Sequence, residues 1–258
     1  MENLTLVVVS CDQQKATELC LKSYVKHHYI DTPLKILLID NGSTDNTKSW
    51  LKENQIPFLD LPRNVGHQEV INLVWNKIST PYVLLADTDV EFHDNVYNYV
   101  SLLKGTTVSV GSLMHNPPLH PRIGPWFWFI AIQKLKDAGI HTFSGHGCPH
   151  GMADWTYDNG SWLWEKIQEL GLTNYNLPMT ESWLGQLYEK VIHYSQISTR
   201  TATPTKEVRE RREIIKTLVK NFSDIELRDK FIGKNETWSS EFLEAQMKKG
   251  WNPIFYDN

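Results

Sequence analysis

Through its first hundred residues the chain alternates between short unbroken apolar runs and stretches with helical spacing. Leu4–Ser10, LTLVVVS, is the first such run and predicts a strand. Lys15–His27 comes next, with Ala16, Leu19, Cys20 and Tyr24 on one stripe, the spacing of a helix that buries a single face. After Pro33, Leu34–Ile39 predicts a second buried strand. Asp45–Asn54 predicts a helix that Ser43 or Thr44 would cap, and Phe58–Leu61 a short third strand. Val70, Ile71, Val74, Trp75 and Ile78 make the stripe of the next helix. Tyr82–Ala86 is then apolar or aromatic at every position, as in a strand covered on both faces. Repeated strand–helix alternation predicts an α/β fold with a mainly parallel central sheet flanked by helices.

Beyond Gly105 the pattern loosens. Val108–Leu113 and Trp126–Ile132 predict strands, His115–Pro125 a loop over the active face, and Gln133–Ala138 a short helix closed by Gly139. His141–Gly160 has little periodicity, and a loop of that length in a compact domain is usually functional or disordered. Ser161–Leu170 reads as a helix ended by Gly171, and Lys190–Tyr194 as a strand. From Thr205 the chain is charged and helical. The expected organisation is a domain over 1–200, with halves at 1–104 and 105–200, then a helical C-terminal extension over 201–258.

Composition narrows the function classes only a little. The chain has 258 residues and a formal net charge of −4, which gives no global argument for nucleic acid or an anionic membrane. The basic run KEVRERREIIKTLVK is a solvated helix face or a patch for an anionic acceptor. Ten tryptophans fit either a large core or stacking surfaces for sugars and bases. Three cysteines without a Cys-x-x-Cys pair predict a reduced, cytoplasmic setting. The N-terminus lacks a basic segment and a long apolar run, and Trp126–Ile132 is too short for a bilayer span, so neither a signal peptide nor a transmembrane segment is expected.

The chemistry gathers at Asp87-Thr88-Asp89, directly after the Tyr82–Ala86 strand. Carboxyl ends of strands are where open α/β sheets bind ligands. Two carboxylates one residue apart suit a hard cation holding a diphosphate. The bland alternative is a polar turn. His146, Cys148 and His150 offer zinc-type ligands but are one short of a structural site, and the intervening Gly147 and Pro149 deny them a helix.

Three segments in order decide the reading. Ile39–Thr47 (IDNGSTDNT), Arg63–Asn72 (RNVGHQEVIN) and Ala86–Phe92 (ADTDVEF) resemble, in sequence order, the acidic turn, the N-x-G-x-x-x-A-R-N segment and the D-x-D motif of family 2-type nucleotide-sugar glycosyltransferases with a GT-A fold. Asn64, Gly66 and Asn72 match the middle motif, whereas Val70 and Ile71 stand where that family has Ala and Arg. The resemblance implies metal-dependent transfer of a sugar from a nucleoside diphosphate donor, a UDP-sugar first, to an acceptor hydroxyl with inversion. It implies Mn²⁺ or Mg²⁺ as cofactor. Asp89 would be a metal ligand, with Asp87 on the ribose or a nearby water and His193, ahead of His146 and His150, as a late histidine in the metal shell. Asp40 would bind the nucleobase. Ser10, Asp12, Asn64, Gly66, Asn72 and Thr88 would complete the donor side. Asp158, ahead of Asp154, would be the base that takes the acceptor proton. For each of these acids, capping a turn or helix is the competing role. The acceptor stays open among a glycan, a small molecule, a protein and a modified nucleic-acid base. The competing functions are a binding module without turnover and a sugar-nucleotide pyrophosphorylase. VVSCDQQKA lacks the Gly-rich basic loop of the latter.

Overall fold

The computed structural model describes residues 3–115, 120–144, 160–195 and 204–248. Its first half runs β1 (Leu4–Ser10), α1 (Gln14–His28), β2 (Leu34–Asn41), α2 (Thr47–Glu53), β3 (Leu59–Leu61), α3 (His67–Trp75) and β4 (Tyr82–Asp87). β1 lies between β2 and β4 and is parallel to both. Its seven residues are all buried, which accounts for the unbroken apolar run. The register aligns Val9 with Asp87 and Ser10 with Asp40, and β2 aligns Asp40 with Asp60 of β3. One edge of the sheet therefore collects the carboxyl ends of β1, β2 and β4, and with them the acids.

The chain continues through β5 (Val90–Phe92), β6 (Thr107–Gly111), β7 (Leu113–Met114), β8 (Arg122–Ile123), β9 (Phe127–Ile130), α4 (Ile132–Asp137), α5 (Ser161–Glu169) and β10 (Thr173–Asn176). β9 enters the main sheet antiparallel, between β4 and β6. The run at 126–132 thus forms a strand, trimmed at both ends and opposite in direction to its neighbours. Trp128 and Phe129 are fully buried there, and Trp128 and Trp75 both pack against Phe143 at ring separations of 5.8 Å. The predicted strand at 108–113 breaks at Ser112 into β6 and β7, because Ser112 Oγ donates to the Leu177 carbonyl and β7 turns off to pair with β8.

A second sheet is antiparallel and small. It is built from β11 (Thr180–Ser182), β12 (Gly185–Leu187), β13 (Val191–His193) and β5, in that order. Gly185 has φ +137°, and a Cβ there would collide with the His193 carbonyl, so only glycine lets β12 approach β13 this closely.

The C-terminal segment contributes α6 (Lys206–Leu218), β14 (Phe231–Ile232), β15 (Glu236–Thr237) and α7 (Ser240–Lys248). Thr205 caps α6 by accepting the Val208 N–H. Ile215, together with Val219 and Phe222 just beyond the helix, packs on Ala16 and Leu19 of α1 and on Tyr194, forming a small satellite core. The segment is less purely helical than its sequence pattern predicts. β14 pairs with β2 and β15 with β3, both parallel, so it also extends the main sheet. Cations of the basic run are partly used locally. Arg211 donates to the carbonyls of Trp183 and Ser195, and Lys216 pairs with Glu213.

Candidate active site

The acids of the Asp87–Asp89 turn face a histidine delivered from far along the chain. β5 starts directly after Asp89 and pairs with β13, with Val90 opposite His193. The Tyr194 N–H donates to the Asp89 carbonyl at 2.9 Å, which continues the pairing past the strand end. His193 Nε2 therefore lies 3.2 Å from Asp89 Oδ1 and 3.9 Å from Asp87 Oδ2. Ligand atoms of Asp87, Asp89 and His193 all fall within 4.8 Å of one another. Asp89 is fully buried and His193 nearly so, whereas Asp87 keeps part of its side chain in solvent. Two carboxylates and an imidazole are hard and borderline donors, and this set fits Mg²⁺ or Mn²⁺ better than a thiophilic metal.

Three residues that sequence reasoning missed surround this cluster. His67, the first residue of α3, sets Nε2 3.3 Å from Asp87 Oδ1. Burial works against ionisation of Asp87, but the hydrogen bond and charge of His67, and then the charge of His193, outweigh it and hold the carboxyl below its usual range. Gln186 Oε1 lies 2.8 Å from His193 Nδ1. The indole of Trp126 stacks on the His193 ring at 5.1 Å with the planes 8° apart. His67 sits directly after Gly66 inside the middle motif and could have been singled out. Gln186 and Trp126 carry no local signal.

The donor-side residues organise the loops at the same sheet edge. Asp12, at φ +51°, accepts the backbone N–H groups of Thr44 and Asp45, while its own N–H donates to Ser43 Oγ. The loops after β1 and β2 are thereby tied together. Ser43 serves this link, and Thr44 is held by Asp12, so neither caps α2. The helix starts later than predicted, at Thr47, whose N–H and hydroxyl both donate to Asp45. Ser10 is buried and shares a hydrogen bond with Thr17. Thr88 is buried in the turn between the two acids.

Asp40 is fully buried, and its Oδ1 accepts the Ser43 N–H. Burial raises its carboxyl above the usual range, a rise that Ser43 and Lys48, 3.6 Å away, only partly offset. Asn64 Oδ1 accepts from Asn41 Nδ2 and from the Gly66 N–H, while Asn41 Oδ1 accepts the Val65 N–H. Gly66 takes φ +87° as the chain turns into α3. Asn72 is engaged at both ends of its amide. Oδ1 accepts from Thr142 Oγ1 and from the N–H groups of Phe143 and Ser144, and Nδ2 donates to Ser144 Oγ. Asp154 and Asp158, with His146, Cys148 and His150, lie outside the described residues.

The family model for glycosyl transferase family 2 matches residues 5–148, a span that holds all three motifs. The chain belongs to this family. It is also 29% identical over 97 residues to the teichoic acid poly(glycerol phosphate) polymerase of Staphylococcus epidermidis, a match over 35% of this chain and 13% of the polymerase. The mannosyltransferase PcManGT of Pyrobaculum calidifontis, solved with GDP-Man and Mn²⁺, superposes with a TM-score of 0.54 at 16% identity, over 68% of this chain and 55% of that one. The glycosyltransferase GlyE of Streptococcus pneumoniae superposes with a TM-score of 0.51 at 13% identity, over 90% and 65%. TarS 1–349 of S. aureus, solved with UDP-GlcNAc, gives 0.50 at 14% identity, over 83% and 66%. The chain thus spans 13% of the polymerase and 55% to 66% of these solved chains. The likeness establishes a mixed, mainly parallel GT-A-like sheet flanked by helices. Among the described residues no helix is long and apolar enough to cross a membrane.

Proposed function

We propose that this chain transfers a sugar from a nucleoside diphosphate donor to an acceptor hydroxyl, with inversion and with Mn²⁺ or Mg²⁺ at Asp87, Asp89 and His193. The observation that carries the reading is the convergence of these three side chains within 4.8 Å at the carboxyl end of β4. Bound there, the cation would neutralise charge developing on the diphosphate leaving group. Asp89 and His193 hold it from the buried side. Asp87, kept ionised by His67, reaches the ribose or a water from the exposed side. Asp40 accepts from a nucleobase ring N–H. Asp12, Asn64 and Gly66 fix the loops on which the donor rests, with Ser10 and Thr88 beneath them. Asn72 supports the donor side through residues 142–144. Asp158, or Asp154, takes the acceptor proton. The sugar chemistry resides in residues 1–200, and α6, β14 and β15 of the C-terminal extension brace the fold.

A UDP-sugar is the first donor to try. Support comes from the fold shared with proteins solved with UDP-GlcNAc and with GDP-Man and Mn²⁺. A reduced, cytoplasmic setting fits a chain of three cysteines without a Cys-x-x-Cys pair. The test is turnover of a panel of nucleotide sugars by the full chain, with Mn²⁺ and with excess chelator. Metal-stimulated release of a nucleoside diphosphate is expected. Equal turnover in chelator would remove the metal from the mechanism, and no turnover of any donor would overturn the transferase reading.

A further inference from the structure

We propose that Gln186 and Trp126 are positioning residues of the cation site, fixing the tautomer and plane of His193 so that Nε2 presents a lone pair to the ion. This rests on the cation reading above and goes beyond it to two residues outside the ligand set. The Gln186 side-chain oxygen is an acceptor only, so the 2.8 Å contact with Nδ1 requires a proton on Nδ1. In a neutral ring the other nitrogen is then bare. Nε2 is the atom facing Asp89 and Asp87 at 3.2 and 3.9 Å. A cation seated among the three side chains would take Nε2 as a ligand in place of its proton, with Nδ1–H kept on Gln186.

The local fold serves this arrangement. Gln186 is paired directly opposite His193 across β12 and β13, and only glycine at position 185 permits that approach. Trp126 acts on two ligands at once. Its indole stacks on the His193 ring, and its carbonyl accepts the Asp87 N–H at 3.1 Å. The indole is itself held in plane, since Nε1–H donates to the Tyr188 hydroxyl at 2.7 Å. The ring that carries Nε2 is thus fixed at its far nitrogen by Gln186 and over its face by Trp126. Partners of this kind set the orientation and basicity of a metal-bound imidazole, and their loss typically costs about 10–100-fold in metal affinity.

The test is Mn²⁺ binding to the full chain, read by electron paramagnetic resonance of the free ion, alongside melting in chelator to confirm folding. Gln186→Leu and Trp126→Leu should each weaken Mn²⁺ about 10–100-fold, and Gln186→Glu, which keeps the acceptor, should restore binding. Nitrogen-15 NMR of the wild-type His193 ring with Mg²⁺ bound should show the proton on Nδ1, a readout that needs no variant to fold. Wild-type affinity in Gln186→Leu, with His193→Ala still impaired, would overturn the positioning role and leave the cation site standing. So would a proton found on Nε2. If the wild type bound no Mn²⁺, or His193→Ala bound it equally well, the cation reading would fall and take this inference with it.

Discussion

His193 Nε2 and Asp89 Oδ1 lie 3.2 Å apart, although one residue ends the central β4 turn and the other closes a small antiparallel strand late in the chain. Burying a carboxylate is costly unless a positive partner compensates. Asp89 is fully buried beside His193, and a divalent cation would add to the compensation there. Mn²⁺ is expected to raise the melting temperature of the wild type, by the equivalent of about 2.7 kcal/mol at a hundredfold excess over its dissociation constant. Asp89→Asn should lose both this stabilisation and donor turnover. A variant with full activity, or one equally stabilised by Mn²⁺, would rule out the assigned ligand.

Asp40 offers a test in which stability and function move in opposite directions. Its burial raises the carboxyl above the usual range, so the folded state holds the proton more tightly than the unfolded chain. Stability is then lost as pH rises from the unfolded value, about 3.9, through the folded one, and it stays lost at neutral pH. Asp40→Asn can keep the acceptor for the Ser43 N–H and removes the buried charge. It should melt higher than the wild type at pH 7, with the gap closing near pH 3. Donor KM should rise with kcat unchanged at saturation, because the interaction is shared by ground and transition states. A fall in kcat alone would refute the nucleobase role.

His28 predicts a pH dependence away from the site. Burial is the main cause that brings its pKa down to about 4, as the ring stacks on Tyr24 with its nitrogens on the Tyr24 carbonyl and the Val96 N–H. The unfolded chain takes up this proton near pH 6.5 and the folded protein only near 4. Its contribution is therefore complete above pH 6.5 and declines as pH falls to 4, by about 3 kcal/mol in all. Urea unfolding across that window should show a one-proton slope that His28→Gln removes. Parallel profiles for the two proteins would contradict the assignment.

The parts of this fold that could be read in advance are those whose signal is local. β1, β2 and β4 announce themselves as apolar runs because most of their residues are buried on both faces of the sheet. The α3 stripe at Val70, Ile71, Val74 and Trp75 is legible because burial selects one face at helical spacing. β5, β11 and β12, with three residues each, and β14 and β15, with two, are too short to show a period. The run Trp126–Ile132 reveals a strand but not its direction, which the connections decide. Asp87 and Asp89 carry their chemistry in the sequence itself. Their meeting with Gln186 and Trp126 depends on pairing between distant strands, and no window of sequence contains it.

Asn72 ties α3 to the segment at residues 142–144. Its Oδ1 serves the N–H groups of Phe143 and Ser144 at once. Asn72→Ala strands both donors, and an unsatisfied buried group typically costs about 1–3 kcal/mol. The expected outcome is a lower melting temperature and faster amide exchange at 143 and 144. Unchanged exchange there would show that the side chain does not hold the segment.

The last prediction separates catalysis from donor binding. Asp158→Asn should retain Mn²⁺ and donor affinity and lose transfer, because the substitution removes a proton acceptor with little change in volume. General-base catalysis is typically worth about 10²–10⁴-fold, so the loss in kcat should be large. An acid that merely stabilises the start of a helix would instead cost about 0.3–1 kcal/mol of stability and leave turnover near normal. Asp158 lies just ahead of α5, which begins at Ser161, so that competing role is a concrete one. Asp154→Asn is the control, and a large loss there with a normal Asp158→Asn would move the base to Asp154. Normal turnover in both variants would place the base elsewhere or remove the need for one. Proton NMR of the product's anomeric centre decides between these, since retention of configuration is incompatible with a single direct displacement.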